Sequence, residues 1–299
     1  MKVLFYPLIN IGAVTSHEVT QRGSLRIWCD YMMDCVYHGL KTVLGDDLEE
    51  GIQCPQWYDD VDKMKLYGNG FTIYGLLKRP NVIEENVIRG RLASKYYDRV
   101  IIPIHNNVYA YSCLYQAVEH VLNLGNKVSV ICGNDGDYVD DKIAELCPYF
   151  KRELYRETTK NLLPISFCVP KEKVLSVVPN KEKDISVIRP NHSGEAGWTI
   201  KTEEEYYKEY ASSVAAYTYK KGGWDCMRHY EILMNGCIPL FYGIESCPKN
   251  TLTTLPKKLL SDILAGNIKP SKDVIEHLLG LTRDYMTTER LANRILQHD

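Results

Sequence analysis

Short apolar runs alternate with helix-length amphipathic runs in two separate series along this chain, and this restricts the fold more than any other feature. The first series opens with KVLFYPL (2–8), then passes through NVIEENVIRGRLASKYY (81–97) into DRVIIPI (98–104). It continues with VYAYSCLYQAVEHVLNLG (108–125), KVSVICGND (127–135) and DYVDDKIAELC (137–147). SLRIWCDYMMDCVYHGLKTVLG (24–45) reads as a further helix: Leu25, Trp28, Cys29, Met32, Cys35, Val36 and Leu40 recur at helical spacing, and Ser24 is a good N-cap. The second series is DISVIRPNHSG (184–194), TEEEYYKEYASSV (202–214), AAYTYKK (215–221), a helix over 225–235 and CIPLFY (237–242), with one or two closing helices over 269–297. Such alternation predicts parallel sheets with crossover helices.

The expected fold is therefore α/β, with two Rossmann-like domains facing across a cleft. Their spans are 1–165 and 166–299, and the last helix is free to pack back on the first domain. The stretch 151–183, with Pro164, Pro170 and Pro179, reads as the connector, and LLPISFCV within it suits a strand of either half. A chain of 299 residues is near the size at which one core gives way to two.

Composition narrows the function classes. A formal net charge of −2 gives no global electrostatic case for a nucleic-acid partner. Ten cysteines are scattered without a CxxC pair or histidines at finger spacing, which speaks for reduced thiols and against a structural metal. The N-terminal MKVLFYPLINIG reads as a first strand rather than a signal peptide, and no run approaches the roughly 18 apolar residues of a membrane span. The expectation is a soluble, cytoplasmic protein. Tyrosine dominates the aromatics, with 22 against five Phe and four Trp, and it suits half-wet clefts that bind sugars or bases as well as it suits compositional bias.

The chemistry concentrates in KKGGWDCMRHYEILMNGCIPLFYG (220–243). Lys220, Lys221, Gly222 and Gly223 lead through Trp224 to Asp225, an expected N-cap, and Gly236 is placed to close the helix in a left-handed position. A helix N-terminus behind glycines and lysines suits an anion. Arg228 and Glu231 are three apart and share a face, so Arg228 is expected to clasp a diphosphate and Glu231 to accept ribose hydroxyls. VIRPNHSG (187–194) adds Arg189 and His192 at a strand end facing that helix.

GGWDCMRHYEILMNGCIPLF resembles the donor-site segment of exostosin-like glycosyltransferases of the GT-B fold: an Arg, a Glu three later, then small-Gly-Cys-Ile-Pro and an apolar strand. The likeness covers about 185–245, and YYKEYASSVAAYTYKK matches the helix and strand before it. DYMMDCVYHGLKTVLGDD and LYGNGFTIYG look like segments of related viral and environmental glycosyltransferase-like proteins. The resemblance implies transfer of a monosaccharide from a nucleoside-diphosphate sugar, UDP-type favoured, to a glycan or glycoprotein acceptor. It also implies inversion, independence of metal and, for a viral copy, action in host cytoplasm.

Inverting transfer needs a base for the acceptor hydroxyl. His17 and Glu18, in the loop GAVTSHEVTQRG that Gly12 turns toward the cleft floor, are candidates, with Asp135 and Asp137 as rivals. His105 and Asn106 follow a strand and line the acceptor side with Gly12 and Asp137. LYGNGFTIYG (66–75) suits stacking on a sugar ring or a packed hairpin equally. Two other functions fit the same architecture. One is a non-catalytic nucleotide- or glycan-binding module; the other is a DNA-modifying glucosyltransferase, which needs a basic groove for duplex phosphates.

Overall fold

The computed structural model describes residues 1–7, 18–21, 24–27, 30–104, 111–188 and 200–298. Its larger sheet is parallel and six-stranded, built from β1 (Val3–Phe5), β4 (Leu48–Glu50), β5 (Arg99–Ile104), β6 (Val128–Cys132), β7 (Tyr149–Lys151) and β8 (Leu162–Pro164). Their order is β4-β1-β5-β6-β7-β8, so the direction of winding reverses at β1 and β5. Such a switch point opens a crevice beyond the carboxyl ends of the strands. The central strands RVIIPI and VSVIC are buried throughout, as expected of parallel strands covered on both faces.

The smaller sheet is parallel and three-stranded, in the order β11-β10-β9, from β9 (Lys183–Ile185), β10 (Ser213–Tyr219) and β11 (Ile238–Tyr242). The chain is thus α/β, with two parallel sheets compatible with Rossmann-like halves. LLPISFCV contributes β8 to the larger sheet, pairing Phe150 with Leu163.

Helices α1 (Tyr31–Leu44), α2 (Glu85–Ala93), α3 (Tyr111–Asn123) and α4 (Asp141–Leu146) connect the first sheet, and α5 (Glu203–Ala211) and α6 (Met227–Met234) connect the second. Three helices close the chain: α7 (Lys257–Leu264), α8 (Lys272–Tyr285) and α9 (Thr288–Gln297). The helix expected over 24–45 begins seven residues late. Ser24–Ile27 is instead β3, paired antiparallel with β2 (Glu18–Gln21), and the N-cap is Asp30, whose Oδ1 accepts the amides of Met32 and Met33 at 3.0 and 3.1 Å. An apolar spacing of three to four suited both segments, but the carboxylate satisfies two amides that Ser24 would have left for another start.

The last helix returns to the first half. On α1, a Cβ at Gly39 would overlap the carbonyl of Thr288, and His38 Nδ1 lies 2.9 Å from Thr288 Oγ1. Arg99, at the start of β5, donates to the carbonyl oxygens of Ile295 and His298 at 3.0 and 2.5 Å and so caps α9. One apolar cluster runs from Phe5, Val36 and Ile101 of the first half to Ile238, Phe241 and Leu279 of the second. Among the described residues no helix is long and apolar enough to cross a membrane.

Candidate functional site

The carboxyl ends of the two sheets meet. Loop 133–137 after β6, residues 152–154 after β7 and loop 220–225 after β10 converge on the first turn of α6. Arg152, a buried side chain, ties them together. Its Nε donates to the Gly133 carbonyl at 2.7 Å, its Nη2 to Asp135, and its Nη1 to the Asp225 carbonyl and, at 3.1 Å, to Glu153. The ring of Phe167 lies 4.7 Å beneath the guanidinium. Lys151 Nζ donates to the carbonyls of Asn134 and Gly136, at 3.0 Å for the former. Sequence reading passed over this Lys-Arg-Glu run, although three charges ending the apolar strand YF were a legible signal.

Several expectations for 220–231 are corrected. Asp225 does not cap α6: the N-cap is Cys226, without a side-chain capping bond. The Asp225 carboxylate is 1% exposed and accepts the Phe167 amide at 2.8 Å. Burial pushes its pKa up to about 7, against the opposing pull of Arg152. It belongs to the joint between the halves rather than to a donor-binding surface. Gly222 and Gly223 do permit close approach, but to carboxylates of the first half: a Cβ at either would collide with Asp135 or Glu153. Lys221 is exposed, and its amide donates to the Gly223 carbonyl at 3.0 Å, folding the loop into a turn. The Lys220 ammonium stands 5.2 Å over the Trp224 ring. Gly236, at φ +62°, ends the helix in the left-handed conformation expected of it.

His229, assigned no role from the sequence, holds this loop. Its Nε2 donates to the Trp224 carbonyl at 2.9 Å while Nδ1 lies 3.0 Å from Thr218 Oγ1. Burial pushes its pKa down to about 3, so the ring is neutral at physiological pH.

Arg228 is half-buried over the Tyr219 ring, 5.8 Å from its centroid, and its Nη1 is buried with no hydrogen-bond partner among the described residues. Glu231, one turn on, is enclosed rather than open. It is 8% exposed; its Oε1 accepts the Thr72 hydroxyl and its Oε2 accepts the Tyr206 hydroxyl at 2.8 Å. Burial raises its pKa despite those two donors. Thr72 follows the 3₁₀ turn Tyr67–Gly70 within LYGNGFTIYG, and the segment is packed: Phe71 lies 5.5 Å from Tyr206 in a second-half cluster with Tyr210, Ile232 and Cys237. Side-chain pairing across 159 residues leaves no local trace, and Thr72 was not foreseen.

Asp135 is exposed and paired with Arg152; Asp137 is exposed in the same loop. Glu18 lies in β2 opposite Ile27, and its side chain is outside the described residues. Gly12, His17, His105, Asn106, Arg189 and His192 also lie outside them. Among the described residues no group of three or more His, Cys, Asp or Glu side chains is placed to hold a metal ion. A scan against protein-family models finds no match to this chain, and a search of curated proteins finds none.

Proposed function

We propose that this chain is a GT-B-type glycosyltransferase that takes a nucleoside-diphosphate sugar, UDP-type favoured, and passes its monosaccharide to a glycan or glycoprotein acceptor. One observation carries the reading: Arg228, on the first turn of a helix without a side-chain cap, keeps a buried Nη1 without a hydrogen-bond partner among the described residues where the carboxyl ends of two parallel sheets converge. A buried guanidinium donor left unmatched is costly, and a diphosphate oxygen supplies the missing acceptor together with the helix dipole. In this reading Arg228 clasps the diphosphate, Glu231 receives the ribose, and a base from the first half takes the acceptor proton as its oxygen attacks the anomeric carbon. The nucleoside diphosphate then leaves with the glycosidic electron pair. The resemblance of 185–245 to exostosin-like enzymes supports the same assignment.

One observation favours a second reading, a nucleotide-binding module without transfer: Asp135, one of the base candidates among the described residues, is already engaged by Arg152. Calorimetry and thermal shift against UDP, GDP, CMP and dTDP and their sugar conjugates, with and without EDTA, test both readings. Saturable, EDTA-insensitive binding of one nucleotide with turnover of its sugar supports the transferase. Binding without turnover supports the module. No binding across the panel removes both.

A further inference from the structure

Residues 66–75 leave the first half between β4 and α2 and lodge in the second. Phe71 is buried among Tyr206, Tyr210 and Ile232, while Ile73 and Tyr74 are buried in the main core. Thr72, fully buried between these anchors, is the central residue of a γ-turn closed by the Ile73 amide and the Phe71 carbonyl at 2.9 Å. Its φ of +67° is rare and strained for a β-branched residue. The turn is held from the other half: the Thr72 amide donates to Glu203 Oε1 at 2.5 Å, Tyr207 places its hydroxyl 2.8 Å from Thr72 Oγ1, and that Oγ1 donates to Glu231. Glu203 in turn pairs with Lys173.

Glu231 therefore receives one hydroxyl on each carboxylate oxygen, from Thr72 and Tyr206. Two hydroxyls facing one carboxylate are what a ribose diol would present. We propose that the tip of this strap and the ribose of a nucleotide compete for Glu231, so that the Thr72 hydroxyl must let go before the nucleotide can seat. The inference rests on the nucleotide-sugar reading above and adds a regulation to it. The strap need not unfold: its flanking apolar side chains stay buried, and only the γ-turn relaxes. Release trades the Glu231 contact for relief of a left-handed threonine, which keeps the open state within reach while the closed state predominates. Nucleotide affinity is then lowered by the fraction of chains in which the strap is closed.

Thr72→Val tests this. It keeps volume and β-branching but removes the hydroxyl and sets a methyl against a carboxylate, which disfavours the closed state. UDP, titrated by calorimetry, is expected to bind the variant about tenfold or more tighter than the wild type. In parallel, saturating UDP is expected to speed hydrogen exchange at the Thr72 amide of the wild-type chain, a readout that stands even if the variant does not fold. Wild-type binding with equal or weaker affinity in the folded variant, or with unchanged exchange at Thr72, overturns the competition and leaves the nucleotide reading intact. If neither chain binds UDP or any other nucleotide of the panel, the nucleotide reading falls and the competition with it.

Discussion

The guanidinium of Arg152, just past the end of β7, donates to the main-chain carbonyl of Asp225 in the loop that leads into α6. A side chain of the larger sheet thus holds the segment on which the candidate site is built. Arg152 also neutralises Asp135 and Glu153, the latter fully buried. Arg152→Met keeps the bulk over Phe167 but leaves the buried Glu153 carboxylate without its guanidinium. The expected loss is about 3–5 kcal/mol, read from urea denaturation at constant m. A loss under about 1 kcal/mol would mean that the joint is held by apolar packing alone.

Arg228 donates no hydrogen bond from its buried Nη1 among the described residues and meets the Tyr219 ring at 5.8 Å. Arg228→Ala is therefore expected to leave the melting temperature nearly unchanged while weakening UDP binding by about 2–3 kcal/mol, the range for losing a charge-assisted hydrogen bond. Unchanged UDP affinity in the folded variant takes Arg228 out of the site.

Asp34 gives the fold a titration of its own. Fully buried on α1, it has its pKa pushed up from 3.8 to about 8 by burial, with Asp30 adding to the rise; the Trp57 and Gln56 side chains, at 2.6 and 3.1 Å, pull against it. Between those two values the folded chain holds a proton that the unfolded chain releases. Its contribution is therefore fully present below pH of about 4 and is lost as pH rises toward 8, by up to about 1.4 kcal/mol per unit. Asp34→Asn offers the same acceptor without the charge. The stability of the variant relative to wild type is expected to climb between pH 5 and 8 in chemical denaturation; parallel stability curves would show that Asp34 titrates normally.

Gly39 marks where the last helix meets the first half. Gly39→Ala drives a methyl into the Thr288 backbone, which no rotamer change can relieve. The expected cost is about 1–3 kcal/mol of overpacking, seen as a lower denaturation midpoint. Wild-type stability would show that α9 shifts freely on α1.

The strands RVIIPI and VSVIC were legible because a buried parallel strand is an unbroken apolar run, and α6 was legible to its glycine stop because Gly236 needs a left-handed φ. α1 was misplaced by seven residues because the apolar spacing of Leu25 to Leu40 continues through β3, and only the capping geometry of Asp30 decides where the helix starts. The site divides in the same way. The place of Arg228 on the first turn of α6 was legible from the glycines before it, whereas the partners of Asp225, Gly222 and Glu231 were not.

What the sequence by itself determined is the local part of this protein. Hydrophobic periodicity sets two series of strands and helices and hence two parallel sheets, and left-handed glycines set where helices stop. Only the tertiary structure decided that Arg152 would hold the Asp225 loop, that Thr72 would reach Glu231, and that Gly39 would receive the backbone of Thr288. The physical reason is range. Periodicity and capping are satisfied within a few residues of chain, while a buried charge or hydroxyl takes whichever partner the converging sheet ends bring within hydrogen-bonding distance.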